Sequence, residues 1–148
     1  MAPTDTIDTA RIVAGLKDFK RRSVEYVYDR LYGDCATRRF LLADEVGLGK
    51  TLVARGLIAK TIEYLRQERK KRIDIVYICS NADIARQNIR RLNVTEKEDF
   101  QFASRITLLP QQVQELSKNR LNFISFTPHT SFHLGNRGGR VDERVLLY

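Results

Sequence analysis

The sequence predicts an α/β fold in which a parallel sheet is flanked by helices and preceded by a helical N-terminal extension. Apolar segments of strand length alternate with segments whose apolar residues recur every three to four positions. The strand candidate at 37–43 is continuously apolar from residue 40, as expected of a strand that is buried on both faces of a parallel sheet. A helical segment connects it to the next strand candidate at 73–79, and such crossovers join parallel neighbours.

The N-terminal extension is assigned to residues 1–36 and is predicted to contain two helices. At 7–16 the apolar residues form a modest stripe, and at 19–32 they follow the stronger i, i+3, i+4, i+7 spacing. Residues 37–148 are assigned to a second domain. It is predicted to begin with a buried strand at 37–43.

The rest of the second domain continues the alternation of strands and helices. The helix predicted at 50–67 has a stripe at a period of three to four, made of Val53, Leu57, Thr61 and Leu65. Ser80 and Asn81 are both suitable N-caps for the helix that ends at residue 92. The remaining predicted elements are a strand at 73–79, a strand at 104–109, a helix at 111–118 and a strand at 121–126.

Composition restricts the classes of protein. The 148 residues include 26 lysines and arginines against 18 aspartates and glutamates, and the net charge of +8 favours polyanionic partners. No apolar run approaches the roughly 20 residues that a membrane span requires. The first ten residues lack the pattern of a secretory signal. We therefore expect a cytoplasmic protein that has no membrane partner.

The strongest functional signal is the segment 40–51, Phe-Leu-Leu-Ala-Asp-Glu-Val-Gly-Leu-Gly-Lys-Thr. Gly47 and Gly49 lack side chains where backbone N–H groups must converge on phosphates. The helix that begins near Lys50 directs its unpaired N–H groups and its positive dipole end at the same anion. We expect Lys50 to reach the β and γ phosphates of a nucleotide, and the Thr51 hydroxyl to hold the bridging Mg²⁺.

The run Leu42–Leu52 resembles motif I of superfamily 2 helicase-like ATPases, particularly the Swi/Snf branch, where Asp-Glu-x-Gly-x-Gly-Lys-Thr is the usual form. The general phosphate-loop pattern has glycine at the position of Asp44, whereas an acidic residue is normal in this branch. The resemblance implies a RecA-like P-loop domain, present only in part. It also implies ATP–Mg²⁺ binding by Asp44, Glu45, Val46, Gly47, Leu48, Gly49, Lys50, Thr51 and Leu52, with Thr51 on the metal.

Two later segments are similar to motifs Ia and Ib of the same family. The resemblance implies that they contact the nucleic-acid backbone, of duplex DNA rather than RNA, without sequence preference. An ordinary helix cap and a Thr-Pro turn are the alternative interpretation of the two segments. The residues implied are Ser80, Asn81, Arg86, Arg90, Arg91 and Thr127.

Other parts of the family pattern are missing. Where the family has an adenine-reading glutamine, residues 19–24 offer Lys20 and two arginines, whose side chains only donate hydrogen bonds. The sole late candidate for the acidic pair of motif II is Asp142 with Glu143, which lacks a preceding apolar strand. No second RecA-like domain follows. We therefore expect ATP binding with little or no turnover, in a truncated or split product or with a second polypeptide that carries the remaining motor domains.

Two other functions compete with this one. A noncatalytic basic module that binds nucleic acid or a partner on a P-loop scaffold is the alternative, so enzymatic activity is left open. A small P-loop kinase is disfavoured, because Asp44 does not suit it and no lid segment is evident. His129 and His133 have an i, i+4 spacing, but the surrounding proline and glycine favour surface histidines over a zinc site.

Overall fold

The computed structural model describes residues 7–43, 47, 49–95 and 116–126. The described residues form a small α/β fold with a helical N-terminal region and a two-stranded parallel sheet. They group into two compact units, one with residues 7–70 and 91–95 and the other with residues 71–90 and 116–126. The elements are α1 (Thr9–Ala14), α2 (Asp18–Tyr32), α3 (Lys50–Gln67), β1 (Ile73–Ile78), α4 (Ala82–Leu92) and β2 (Leu121–Phe126).

The first unit is built on the packing of α2 against α3. Val24 of α2 and Ile62 of α3 are fully buried. Gly56 allows the close approach, because a Cβ at this position would lie 3.0 Å from Val24 Cγ2 and 3.2 Å from Leu16 Cδ1. The buried residues of α3 are Val53, Gly56, Ala59 and Ile62. The predicted stripe was right for Val53 and wrong for Leu57, Thr61 and Leu65, which are only half-buried.

Aromatic rings extend this contact towards the other end of the two helices. The Tyr64 ring of α3 lies 5.0 Å from the Tyr32 ring and 6.5 Å from the Tyr28 ring, measured between centroids. Lys60 Nζ lies 4.5 Å from the centroid of Tyr28 and pairs with Glu25. Burial raises the pKa of the Tyr28 phenol, and the neighbouring tyrosines and glutamates add to the effect. These contacts fix the position of α3 relative to α2.

The predicted strand at 37–43 is wrong, since none of these residues forms a strand. The chain turns back along α2 instead, and the Thr37 N–H donates to the Arg30 carbonyl at 2.7 Å. The Phe40 ring packs edge-on against Tyr26, with centroids 5.9 Å apart. Leu41 is 85 % exposed, so this run is not buried on both faces. Only the Phe40 ring is shown to pack on the helix, and Phe40 and Leu41 both remain exposed.

The second unit contains a two-stranded parallel sheet, which agrees with the predicted fold class. β1 and β2 pair in parallel, with Ile73 opposite Leu121 and Ile78 opposite Phe126. The middle of β2 is buried, whereas β1 alternates between buried or half-buried and exposed residues. On α4, Ala85 and Ile89 are each 1 % exposed. The helix therefore has one buried face, and Ile84, which is 50 % exposed, lies outside it.

A polar network crosses from β1 to β2. The Asn122 side-chain amide donates to Asp74 Oδ1 at 2.8 Å and to the Leu116 carbonyl at 3.0 Å. Arg72 Nε donates to the same carboxylate at 2.9 Å and 3.0 Å. The hydrogen bond from Arg72, aided by that from Asn122, holds the pKa of Asp74 below its ordinary value against the opposing effect of burial.

Several predictions fall partly or wholly outside the described residues. These are the strand at 104–109, most of the helix at 111–118, and the candidates Thr127, His129, His133, Asp142 and Glu143. Residues 116–118, at the end of that helix, are described and are helical. Among the described residues, no helix is long and apolar enough to cross a membrane.

Candidate functional site

The two glycines of the motif adopt backbone conformations that suit glycine. Gly47 has φ of 91° and Gly49 has φ of 85°, both in the left-handed region. A residue with a side chain pays roughly 1–2 kcal/mol to adopt such a conformation. Glycine is therefore favoured at both positions, because each has a positive φ. The other loop candidates, Asp44, Glu45, Val46 and Leu48, lie outside the described residues.

The helix that follows begins where the sequence predicted. Gly49 is the N-cap of α3, and its carbonyl accepts the Leu52 N–H at 2.9 Å. Lys50 and Thr51, the first two helical residues, are half-buried. Gly49 has no side chain to cap the helix, and the first turn contains no acidic residue. The described part of this helix start thus lacks the negative charge that usually compensates the dipole.

Lys20 also lies at this helix start, a position that the sequence pattern did not predict. A Cβ on Gly49 would lie 2.5 Å from Lys20 Nζ and 3.0 Å from Lys20 Cε. Lys20 precedes the buried Val24 by one turn of α2, on the face that packs against α3. The i, i+4 relation to Val24 is the signal in the sequence that places Lys20 towards α3.

The residues predicted to contact nucleic acid lie on and before α4. Asn81 caps the helix, and its Oδ1 accepts the N–H groups of Asp83 and Ile84 at 2.8 Å and 3.1 Å. The cap interpretation of Asn81 is therefore confirmed, and its oxygen is already used. Ser80, Arg86, Arg90 and Arg91 are exposed, whereas Thr127 lies outside the described residues.

The arginines of α4 form an exposed basic surface. Arg86 and Arg90 are four residues apart on one exposed face of α4, about 100° around the helix from the buried Ala85 and Ile89. Among the described residues, Arg86 makes only a long contact, 3.7 Å, with Asp83, and both side chains are well exposed. Exposed pairs of this kind contribute little stability, so the Arg86 guanidinium is available to a stronger anion. Arg86, Arg90 and Arg91 are called the α4 arginine surface below.

No family model matches the chain, and neither a curated protein nor a solved structure matches it. The resemblance to the Swi/Snf motif therefore depends on residues 42–52 and on the geometry of those that are described. That geometry has one feature that the motif does not specify, which is the ammonium group of Lys20 at Gly49.

The charges around the start of α3 have a chemical consequence. The N-terminal end of a helix carries a partial positive charge, which lysines at the same end oppose. Here Lys50 is the first helical residue and the Lys20 ammonium contacts Gly49. A bound anion opposes this repulsion, because it can accept hydrogen bonds from the backbone N–H groups of the helix start and from the Lys20 ammonium. The arrangement is suited to binding a phosphate chain.

Proposed function

We propose that the chain is the ATP-binding front part of a DNA-dependent, Swi/Snf-like superfamily 2 ATPase, with an incomplete RecA-like fold. The observation that carries this proposal is the position of Lys20 Nζ against Gly49, at a helix that opens with Lys50. Two cations and a helix N-terminus without a side-chain cap or first-turn acid meet where the motif requires phosphate. Side chains at Gly47 and Gly49 would disturb this cradle.

Each residue of the motif has a role in the proposal. Gly47 and Gly49 let the main chain curve around the phosphates, together with Asp44, Glu45, Val46 and Leu48 of the same loop. Lys50 binds the β and γ phosphates, and the Thr51 hydroxyl is a ligand of Mg²⁺. The metal neutralises phosphate charge. Leu52 continues the helix beside the nucleotide.

Lys20 takes a different role from the glutamine that the family has in this region. Its ammonium group contacts the phosphate-loop glycine, so it adds a second cation for the phosphates. An ammonium group also cannot accept a hydrogen bond from the adenine amino group. We therefore expect binding to depend on the phosphates and to show weak selectivity for the base.

Nucleotide binding is tested by Lys50→Ala, with the exposed Lys71→Ala as a control of equal charge change. Titration with fluorescent ATP and Mg²⁺ should show at least tenfold weaker binding for Lys50→Ala, since a charged hydrogen bond contributes about 1.5–3 kcal/mol. Lys71→Ala should bind like the parent chain. Equal affinity of all three proteins contradicts the proposal. Released phosphate should stay near background for the chain alone.

The α4 arginine surface supports a second part of the proposal, which is binding to the backbone of duplex DNA. Arg90→Glu should weaken binding alike for unrelated duplexes. The slope of log affinity against log salt concentration should become shallower by about one unit for each phosphate that Arg90 neutralises in the parent chain. Arg22→Glu, at an exposed position of α2, is the control. Weaker binding to one sequence alone contradicts backbone binding.

The same surface favours one alternative function, a noncatalytic basic module that binds nucleic acid or a partner. The two are separated by the nucleotide titration together with DNA binding. DNA binding without any nucleotide affinity supports the module, and nucleotide binding that depends on Lys50 supports the ATPase part. In the ATPase proposal, a second polypeptide supplies the remaining motor domains and the hydrolytic residues.

A further inference from the structure

The first unit contains a cavity of about 410 Å³ next to α1 and the first turns of α3. This volume lies in the range of small-molecule sites. Of the described residues assigned to nucleotide binding, Leu52 lines it, whereas Gly47, Gly49, Lys50 and Thr51 do not. Its apolar wall includes Ile12, Leu52 and Val94, and its charged groups are Asp8, Arg11 and Arg55.

Arg55 lines this cavity, and one of its donors lacks a partner among the described residues. Its Nε is buried, and no described residue accepts a hydrogen bond from it. A buried donor of a group that is always charged is costly without an acceptor. Asp8 also lines the cavity; its Oδ1 accepts the Arg11 N–H at 2.8 Å and caps α1, and it accepts no hydrogen bond from Arg55 Nε. With two arginines and one aspartate, the lining has one net positive charge.

We propose that this cavity binds a small organic acid, a single carboxylate on an apolar body. The Arg55 guanidinium accommodates the carboxylate, and Arg11 adds a second positive charge. The apolar body lies against Ile12, Leu52 and Val94. One net charge matches a monoanion, whereas the Asp8 carboxylate opposes a more highly charged ligand such as a phosphate chain. The site is thus chemically distinct from the nucleotide site.

Benzoate is a suitable probe, and benzamide is its neutral counterpart of the same shape. Titration of the full chain, followed by ¹H–¹⁵N chemical shifts, should show benzoate binding and at least tenfold weaker binding of benzamide. Arg55→Met should lower benzoate affinity by about tenfold or more, since it removes a charge-assisted hydrogen bond. Arg22→Met, at an exposed position of α2, should bind like the parent. Far-UV circular dichroism confirms that the variants are folded.

Two further variants test whether benzoate binding is independent of the nucleotide site and whether the effect of Arg55→Met is due to misfolding. Lys50→Ala should keep benzoate affinity while losing nucleotide affinity, so either proposal can fail without the other. Arg55→Lys keeps the charge but lacks the planar guanidinium that binds a carboxylate through two N–H groups, and an affinity between those of the parent and Arg55→Met is expected. Equal binding of benzoate and benzamide, or unchanged benzoate affinity in folded Arg55→Met, overturns the proposal. Loss of benzoate binding in Lys50→Ala also overturns it.

Discussion

Alanine at Gly49 should uncouple Lys20 from the phosphate site, whereas alanine at Gly47 should not. Both glycines have positive φ, 85° and 91°, so each substitution costs a similar amount of folding stability, roughly 1–2 kcal/mol. A Cβ at Gly49 would lie 2.5 Å from Lys20 Nζ, whereas one at Gly47 would have no described heavy atom within 4 Å. The lysine amine ends a flexible chain, so it moves away at little further cost in stability.

The effect should therefore appear in binding rather than in folding. A charged hydrogen bond is worth about 1.5–3 kcal/mol, and we take the lower end because Lys20 is half-exposed. Lys20→Met should then weaken binding of Mg²⁺–ATP about tenfold in the parent chain. The same change should have almost no effect in the Gly49→Ala background, where the amine is already displaced. In the Gly47→Ala background it should again cost about tenfold.

The assay is a double-mutant cycle that combines urea unfolding with titration of fluorescent ATP. Unfolding confirms that the two alanine variants lose similar stability, and the titrations give the effect of Lys20→Met in each background. A tenfold effect of Lys20→Met in the Gly49→Ala protein refutes the reasoning, because the lysine would then reach the ligand by another path. Inorganic tripolyphosphate should give the same pattern as ATP, since the contact is to phosphate.

Three further predictions concern the described contacts, and urea unfolding checks each. Gly56→Leu should lower the free energy of unfolding by about 1–3 kcal/mol, because it overpacks the contact with Val24 and Leu16. Asn81→Ala should cost about 1 kcal/mol, since Asn81 caps α4 through two N–H groups. The pKa of Asp74 is lower in the folded state than its ordinary value of 3.8. The ionised carboxylate therefore stabilises the fold at every pH above 3.8. That contribution should disappear as the pH falls below this value, and Asp74→Asn should remove this part of the acid dependence.

The sequence predicted those elements best whose own periodicity decides their structure. The bounds of α2, α3 and β2 agree with the prediction within one residue, because their patterns and their end signals coincide. The strand at 37–43 was wrong for a nonlocal reason. An apolar run alone fixes neither burial nor a partner: here Phe40 contacts Tyr26 of α2, and Phe40 and Leu41 stay exposed. Apolar periodicity also misplaced the buried face of α3, since contact with α2 selects Gly56 and Ala59 rather than larger side chains.

In the candidate site too, the sequence predicted the local features, whereas it did not predict contacts between distant segments. The positive φ at Gly47 and Gly49 agrees with the need for glycine that the motif implied, because this need is a property of the local backbone. Lys20 lies where the resembled family has its adenine-reading glutamine, so its place in the sequence suggests a residue that faces the base. The packing of α2 on α3 instead brings Lys20 to Gly49. The cavity at Arg55 could not be predicted, because it requires residues 94–95 near α1. Such contacts between distant segments leave no periodic signal.

A charge at position 20 should move stability and binding in opposite directions, which separates a binding role from a structural one. Lys20→Glu places a carboxylate near the positive end of α3, where a negative charge typically stabilises a helix by about 0.3–1 kcal/mol. The same carboxylate repels phosphate and removes one cation, so ATP should bind more than tenfold weaker, since an attraction is replaced by a repulsion. Arg22→Glu, on the same helix and exposed, should change neither quantity appreciably. If Lys20 instead served only to hold α2 against α3, Lys20→Glu would lower the free energy of unfolding. A gain in stability that accompanies weaker binding would mean that the chain keeps an unfavourable charge at this helix because an anion belongs there.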